Sequence, residues 1–185
     1  MDPLQYAIVA YLRDPVGELV EGLRREMLPK HAHLPAHFSI LPPRPLRGTE
    51  AEALEAMEFV CQAIQPFEVT LGEVATFSPI TPTVFIRVAH AAYRMRELHD
   101  RLNVGPLHAD ESWPYMPHLT IAKMDTPEES TKVLEEGRWR WQEFKGNRCV
   151  AIRELTFVRQ AGPDHWLDIA SVPLGRRLAP TPSHN

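Results

Sequence analysis

One order of predicted elements occurs twice in this chain: a strand, a helix, a strand that begins with histidine, a second helix and a third strand. Tyr6 and Val84 begin equivalent strands that lie 78 residues apart (84 − 6). The histidines that begin the later strands, His37 and His118, are separated by a similar 81 residues (118 − 37). Two copies of one unit at such similar offsets indicate an internal duplication. We therefore expect related halves that pack about an approximate two-fold axis and line one central cleft.

The two histidine strands have the same plan. His37-Phe38-Ser39-Ile40 and His118-Leu119-Thr120-Ile121 each read histidine, apolar, hydroxyl, apolar. Because successive side chains of a strand point to opposite faces, each histidine shares a face with its hydroxyl residue, about 7 Å along the chain. Two such strands that meet at a cleft supply two titratable bases and two neutral hydrogen-bond donors. That set suits phosphate-ester chemistry.

The repeated order predicts an α+β fold with two pseudo-symmetric lobes, each an antiparallel sheet flanked by helices, and a central cleft between the sheets. At 185 residues the chain has the length of one domain. We expect a single bilobal domain over residues 1–172 with interwoven lobes, whose repeat halves span about residues 4–78 and 83–172. The proline- and arginine-rich residues 173–185 are predicted to form a flexible C-terminal tail.

Several element boundaries are marked in the sequence. Thr49 with Glu52, and Thr126 with Glu129, match the capping box at the start of a helix. The second of these helices is expected to be short and to end near Gly137. The prolines at 42, 43 and 45 are expected to end the first histidine strand, because proline has no amide hydrogen to donate. Residues 149–159 are predicted to form one long strand.

Composition excludes several classes of protein. The net charge of −4 argues against holding long nucleic acid by bulk electrostatics, so no DNA partner is expected, whereas a nucleotide or an RNA end fits a local pocket. Cys61 and Cys149 neither suggest a disulfide framework nor have metal-ligand spacing. Apolar runs fall short of the roughly 20 residues of a membrane span, and the N-terminus lacks a signal-peptide pattern. We expect a cytoplasmic monomer without membrane contact.

At the histidine strands the sequence resembles the 2H phosphoesterase superfamily, named for its paired His-x-Thr/Ser motifs, and within it the 2′-5′ RNA ligase-like branch that includes 2′,3′-cyclic phosphodiesterases. Residues 37–43 are similar to the first motif, and residues 115–121 to the second, including its Tyr-x-Pro lead-in. The likeness spans residues 4–172 as a topology and is specific at the two motifs. Ser39 stands where threonine is more frequent, and the run Pro42-Pro43-Arg44-Pro45 leaves the substrate preference open.

The resemblance implies an enzyme that hydrolyses a 2′,3′-cyclic phosphate or related phosphodiester of an RNA end or nucleotide, with no metal or other cofactor. One of His37 and His118 takes a proton from water or a ribose hydroxyl, and the other gives a proton to the leaving oxygen. Ser39 and Thr120 donate hydrogen bonds to the non-bridging phosphate oxygens. Tyr115 either positions a phosphate oxygen or a histidine, or covers the floor of the cleft with its ring. Both the 2′ and the 3′ product remain open.

Three other functions are compatible with the same residues. The first is a non-catalytic module that binds a nucleotide or an RNA end. The second is a small-molecule cyclic phosphodiesterase that acts on a cyclic nucleotide or an ADP-ribose cyclic phosphate, and the third is a reversible 2′-5′ RNA ligase. The presence of both histidines and both hydroxyls favours catalysis, because a binding module tolerates the loss of any one of them.

Further candidate contacts lie near the motifs. Phe85 and Arg87 share one strand face, where they either stack a base and pair with a phosphate or have ordinary core and surface roles. Lys123 and Arg44, just past the two motifs, are weaker candidates for a phosphate contact.

Two other clusters have a simpler interpretation than a site. His31 and His33 together with His37 resemble a set of metal ligands, but we expect loop histidines near a phosphate site and no metal. Trp139 and Trp141 alternate with arginines, a pattern that can bind single-stranded nucleic acid. We expect instead an amphipathic surface segment with its tryptophans turned inward.

Overall fold

The computed structural model of the chain describes residues 3–175, except for the side chain of His31. The strands in this range are β1 (Tyr6–Tyr11), β2 (His37–Arg44), β3 (Phe67–Thr76), β4 (Thr83–His90), β5 (His118–Lys123), β6 (Cys149–Ile152), β7 (Glu154–Gly162) and β8 (His165–Pro173). The helices are α1 (Pro15–Met27), α2 (Glu50–Ala63), α3 (Ala92–Leu102) and α4 (Pro127–Glu143). None of these helices has the length and apolar composition needed to cross a membrane.

The strands form one antiparallel sheet in the order β6-β3-β4-β5-β2-β1-β7-β8. The two histidine strands, β5 and β2, lie side by side at its centre, with β4 and β1 on either side of them. The third strand of each repeat pairs with the first strand of the other, β3 with β4 and β7 with β1. The predicted α+β class with antiparallel strands and flanking helices is confirmed.

The halves of the sheet meet at a single residue pair, Phe38 of β2 opposite Leu119 of β5. The two predicted sheets are therefore joined edge to edge into one. Along the chain, β6 and β7 are separated by Arg153 alone, yet they stand first and seventh in the strand order. The sheet must curl strongly for one residue to connect these two strands, because neighbouring strands lie about 4.8 Å apart.

The alternation predicted for the histidine strands is present. The side chains of Phe38, Ile40, Leu119 and Ile121 are at most 1% exposed and belong to the main core. The histidine and hydroxyl residues between them are half-buried. The apolar sides of the two strands thus anchor them in the core and leave their polar sides on the other face of the sheet.

Both predicted capping boxes are present. Thr49 and Thr126 each accept a hydrogen bond from the backbone amide of the glutamate three residues later, Glu52 and Glu129. These interactions satisfy amides that would otherwise lack partners in the first helical turn.

Three boundary predictions were wrong. Helix α4 continues past Gly137 to Glu143, because that glycine is a buried position inside the helix, packed against Ile121 and Val74, and not its C-terminal end. Strand β2 continues to Arg44, because its register with β1 shifts around the prolines at 42 and 43. The predicted long strand is two strands, since β6 pairs with β3 and β7 pairs with β1.

The predicted flexible tail begins too early in the chain. Pro173 ends β8, Leu174 is buried, and the amide of Gly175 donates a hydrogen bond of 2.9 Å to the carbonyl of Cys61. These contacts fix residues 173–175 against α2. The remainder of the predicted tail, residues 176–185, lies outside the described residues.

Candidate active site

The register of β2 and β5 brings the four motif residues together on one face. Phe38 is opposite Leu119 in antiparallel strands, so His37 lies across from Thr120, and Ser39 lies across from His118. His37 and His118 therefore stand on one diagonal of a square, and Ser39 and Thr120 on the other. Diagonal neighbours in such a pair have Cβ atoms about 7–8 Å apart. A tetrahedral phosphate fits between two imidazoles at that separation.

Each imidazole is oriented by a hydrogen bond to the carbonyl two residues earlier in the chain. Nδ1 of His37 lies 2.8 Å from the carbonyl oxygen of Pro35, and Nδ1 of His118 lies 2.6 Å from that of Met116. Because a carbonyl only accepts, Nδ1 must carry the hydrogen in both rings. In the neutral form, each Nε2 then has a free lone pair and is able to accept a proton.

Both histidines favour the neutral form. Burial lowers the pKa of His37 below its ordinary value, and the positive charge of Arg24 and the neighbouring His118 lower it further, against the hydrogen bond to Pro35. Burial also lowers the pKa of His118, opposed by its hydrogen bond to Met116. Binding of an anionic phosphate between the rings would raise both pKa values again.

The hydroxyls of Ser39 and Thr120 complete the square. Both residues are half-buried, and within the described part of the chain neither hydroxyl is hydrogen-bonded to a protein atom. Their backbone carbonyls, in contrast, are held by buried or half-buried side chains from behind: Tyr115 donates to Ser39 and Arg24 to Thr120. The hydroxyls are therefore free to donate to a ligand from a fixed backbone.

Tyr115 supports the site from its edge. Its hydroxyl donates a hydrogen bond of 3.0 Å to the carbonyl of Ser39, and its ring stacks on His99 at 4.3 Å between ring centroids. Burial raises the pKa of Tyr115, which keeps the phenol protonated. Since the hydroxyl hydrogen is already used, this geometry favours a supporting role over a direct phosphate contact.

Arg44 is not a phosphate contact in this structure. It is 4% exposed, and its guanidinium pairs with Glu111 at 2.5 Å and donates to Asn103 at 2.7 Å. Glu111 also lies 3.1 Å from Nε2 of His99. The candidate role for Arg44 was wrong because the residue lies on the same face of β2 as Phe38 and Ile40, opposite Tyr6 of β1, and its side chain joins a buried polar network.

Arg24 of α1 is a site residue that sequence reasoning missed. It is 4% exposed, and its guanidinium donates hydrogen bonds of 2.8 Å to the carbonyl of Ile121 and 2.6 Å to that of Thr120. It also donates to the carbonyls of Leu34 and Pro35, at 2.7 and 3.2 Å. The available signal was its position in the apolar stripe of α1, one residue after the buried Leu23.

Aromatic rings surround His118. Phe85 and Phe77 each lie 5.2 Å from its ring, centroid to centroid, in edge-to-face arrangements. Phe85 is 3% exposed and lies under Phe77, whose ring stacks on it at 4.2 Å. Phe85 therefore offers no free face to a base, and Phe77, which is half-buried, is the ring that covers it. The position of Phe77 after the end of β3 gave no signal of this contact in the sequence.

The two remaining basic candidates are placed near the square. Arg87 lies opposite His118 in the β4–β5 register, and its exposed guanidinium pairs with Glu73 at 3.1 Å. Exposed ion pairs of this kind are weak, so Arg87 is able to exchange Glu73 for a phosphate. Lys123 at the end of β5 is exposed and lines a cavity that also contains Thr120.

That cavity has a volume of about 1040 Å³ and opens on the His37 side of the square. His37, Ser39 and Thr120 line it together with Tyr11 and Trp166, whereas His118 lies beside it. Its volume accommodates a nucleotide. The β7–β8 hairpin forms the outer wall of the cavity, and a hydrogen bond connects this hairpin to the loop before β2.

One of the loop histidines makes this hydrogen bond. Nε2 of His33 lies 2.9 Å from the carbonyl of Asp164 in the β7–β8 turn. The side chain of His31 lies outside the described part of the structure. Within that part, no three His, Cys, Asp or Glu side chains are grouped as metal ligands. The expected absence of a metal stays a prediction.

The tryptophan segment of α4 does not face the square. Trp141 is buried as predicted and donates a hydrogen bond of 2.6 Å to the carbonyl of Gly72. Trp139 is 55% exposed, so the expectation that both rings turn inward was wrong for this residue. Positions 139 and 141 are two residues apart and cannot share one helical face.

Comparisons with known proteins bear on the family and the fold of the chain. The family model described as the 2′-5′ RNA ligase superfamily matches residues 12–164. The chain is 24% identical over 174 residues to a protein of Oceanobacillus iheyensis named "Putative phosphoesterase", covering 94% of this chain and 99% of that protein.

Solved structures share the fold. A crystal structure described as a phosphoesterase has a TM-score of 0.64 at 15% identity and covers 95% of this chain and 100% of its own. Escherichia coli LigT, crystallised with NADP+, has a TM-score of 0.61 at 14% identity, with 95% and 100% covered. Because the family match extends over most of the chain, the protein belongs to the 2′-5′ RNA ligase superfamily, within the 2H phosphoesterases that its paired motifs predicted.

Proposed function

We propose that this protein is a metal-independent phosphoesterase that hydrolyses a 2′,3′-cyclic phosphate, or a related phosphodiester of a nucleotide or RNA end, by acid–base catalysis with His37 and His118. The observation that carries this proposal is the diagonal placement of two imidazoles whose Nδ1 atoms are both bound to carbonyls. Both reactive Nε2 atoms are thereby left for one substrate. Membership of a phosphoesterase superfamily supports the reaction class.

The proposed reaction is an in-line displacement at phosphorus. A neutral imidazole takes a proton from water through Nε2 as the water oxygen bonds to phosphorus. The bond between phosphorus and one ribose oxygen breaks, and the protonated imidazole gives its proton to that oxygen. The hydroxyls of Ser39 and Thr120 donate to the non-bridging oxygens as negative charge develops on them. The product is a phosphate monoester.

We assign the base to His37 and the acid to His118. The guanidinium of Arg24 opposes protonation of His37, which suits a base. Burial lowers the pKa of His118 as well, but without the added effect of Arg24, so we assign the proton to His118. Arg87 lies opposite His118, but Glu73 balances its charge. The open cavity on the His37 side also gives water a path to the base.

A nucleotide is the proposed substrate class. Phe77 beside the acid is half-buried and presents a ring on which a base can stack, while Arg87 and Lys123 supply positive charge at the two sides of the square. Escherichia coli LigT, which shares the fold, has been crystallised with 3′-AMP and with NADP+. These nucleotide complexes of a structural neighbour support the same substrate class here.

The test is a substrate panel read by phosphorus NMR. The four 2′,3′-cyclic mononucleotides, an oligoribonucleotide with a cyclic phosphate end and 3′,5′-cyclic AMP are incubated with the protein, with and without EDTA. We expect opening of 2′,3′-cyclic phosphates that is unchanged by EDTA, and the spectrum identifies the oxygen that retains the phosphate. Loss of turnover on chelation would refute the metal-independent mechanism. Tight binding of every 2′,3′-cyclic compound without turnover would favour a binding module instead.

A further inference from the structure

Arg24 is a buried cation whose hydrogen bonds all go to backbone carbonyls. It lies on the inner face of α1 at 4% exposure, where burial outweighs the nearby carboxylate of Glu21 and lowers the pKa of the guanidinium to about 10. The carboxylate of Glu21 itself accepts a hydrogen bond from the amide of Ala36. A cation buried in this way is costly, and an apolar residue would serve the core of α1 better.

The four carbonyls that Arg24 binds belong to two separate segments. Leu34 and Pro35 precede β2, whereas Thr120 and Ile121 belong to β5. The carbonyl of Pro35 is also the group that orients the imidazole of His37. A single planar guanidinium thus connects the segment that orients one histidine to the strand that carries Thr120 and His118.

This connection matters because β2 and β5 pair at one residue pair, Phe38 with Leu119. A junction with so few backbone hydrogen bonds fixes the separation of its two strands weakly. The planar fork of an arginine holds its acceptors in a defined geometry, which a lysine ammonium cannot do.

We propose that Arg24 is a positioning residue that sets the separation and orientation of the two histidines by tying the segment before β2 to β5. The inference rests on the function proposed above. Arg24 lines the cavity beside His37, but its guanidinium donates to the carbonyls of Pro35 and Thr120, so it acts on the two strands through those carbonyls. Misplacing catalytic groups by about 1 Å can reduce turnover about 10²-fold.

The test compares Arg24→Met, Arg24→Lys and the matched control Arg25→Met, which removes the neighbouring exposed arginine of the same helix. We expect kcat for a 2′,3′-cyclic nucleotide to fall about 10²-fold in Arg24→Met, with KM within threefold of wild type. Arg24→Lys retains the charge without the planar fork, so its kcat should lie between those of wild type and Arg24→Met. Arg25→Met should match wild type. A merely structural residue would instead lower the fraction of folded protein without changing kcat per folded molecule.

A second readout needs no substrate. Histidine side-chain NMR, assigned with His37→Gln and His118→Gln, follows both imidazoles during titration with pH and with inorganic phosphate. We expect phosphate to shift both rings in one saturable step in wild type, and in two steps or at one ring only in Arg24→Met. The pKa of His37 should rise in Arg24→Met and not in Arg24→Lys. The substitutions at Arg24 leave the other titratable groups near His37 in place: Glu21 of α1, Tyr11 of β1, Asp168 of β8, and His118 of β5, which titrates together with His37. The cavity is also lined by Arg13, His33, Lys123, Asp164 and His165, which are likewise unchanged.

The two readouts separate failure of this inference from failure of the proposed function. If wild type opens no cyclic phosphate, the proposed function fails, while the phosphate titration still tests Arg24. If folded Arg24→Met keeps kcat within twofold of wild type and binds phosphate in one step at both rings, the positioning role is refuted. If Arg24→Met does not fold, Arg24→Lys decides by the same criteria. If neither variant folds, Arg24 serves the fold alone and the inference is wrong.

Discussion

The two half-sites share their hydrogen-bond plan and differ in what surrounds it. In both, Nδ1 of the histidine is bound to the carbonyl two residues earlier, and the backbone of the hydroxyl residue is held from behind. The side chain that holds Thr120 is the cationic Arg24, whereas the one that holds Ser39 is the neutral Tyr115. The shared hydrogen bonds follow from the repeated histidine strand. The side chains that surround the two histidines come from residues that the repeats do not share.

In the proposed mechanism, the difference in surroundings assigns two distinct roles to an otherwise symmetric pair of histidines. A pair of histidines in identical environments would hold one proton equally between them. Here burial and then the guanidinium of Arg24 lower the pKa of His37, whereas burial alone lowers that of His118, which packs edge-to-face with Phe77 and Phe85. We propose that this asymmetry separates the base from the acid.

The largest expected effects come from the histidines themselves. Alanine at His37 or His118 should lower kcat about 10²- to 10⁴-fold, the range of a positioned acid or base. A phosphodiester with a nitrophenolate leaving group needs no general acid, so it should restore much of the activity of His118→Ala and little of that of His37→Ala. Equal restoration of both variants would contradict the assignment of roles. His90→Ala, at the exposed end of β4, is the matched control.

Variants of the two hydroxyl residues test whether Ser39 and Thr120 contribute equally to binding the phosphate. Ser39→Ala and Thr120→Val should each lower kcat about 10- to 10²-fold, corresponding to the roughly 1.5–3 kcal/mol of a hydrogen bond to a charged group. KM should change less than kcat, because the charge on the non-bridging oxygens grows in the transition state. Steady-state kinetics measures both variants, and Ser171→Ala, which removes an exposed hydroxyl of β8, is the control. An effect at one hydroxyl alone would show that the phosphate is held off the centre of the square.

The pH profile tests the shared feature, the lowered pKa of both histidines. The active form needs one protonated and one neutral imidazole, and both pKa values in the free protein lie below the ordinary 6.5. The singly protonated pair is then most abundant below pH 6.5. We expect a bell-shaped profile of kcat/KM with its maximum in that acidic range, and a maximum of kcat at higher pH because the bound phosphate raises both pKa values. A flat profile from pH 5 to 8 would contradict paired imidazoles.

The smallest expected effect is at Tyr115, the neutral side chain that holds the carbonyl of Ser39. Tyr115→Phe removes the hydrogen bond to Ser39 and keeps the ring on His99, so it should lower the free energy of unfolding by about 1 kcal/mol. Urea unfolding measures the loss, with the exposed Tyr93→Phe as control. A decrease in kcat as large as that expected for Arg24→Met would mean that Tyr115 is as important for positioning as Arg24.

The parts of this molecule that local sequence determines were predicted correctly. Strand alternation in residues 37–40 and 118–121 and the capping boxes at Thr49 and Thr126 depend on neighbouring residues and are present as expected. The missed features depend on distant contacts. The side chain of Arg44 is bound by Asn103 and Glu111, 59 and 67 residues later, and Phe77, which follows β3, covers Phe85 of β4.

Arg24 shows the same limit most clearly. A single arginine within an apolar helical stripe indicates a buried partner, but its acceptors are backbone carbonyls 10 to 97 residues away along the chain. Every residue has a carbonyl, so no residue type in the sequence identifies which ones are bound. The motif therefore predicted the candidate catalytic residues, while the residues that hold them in place required the three-dimensional structure.

The most direct test of the shared site is the double variant His37→Ala/His118→Ala, measured beside the two single variants on a 2′,3′-cyclic nucleotide. If both imidazoles act on one phosphorus in one step, removing the second should cost little once the first is gone. The double variant should then have a kcat within a few-fold of the poorer single variant, because residues that act as a unit are not additive. Losses that multiply in full would mean that the two histidines act independently, and the account would be wrong.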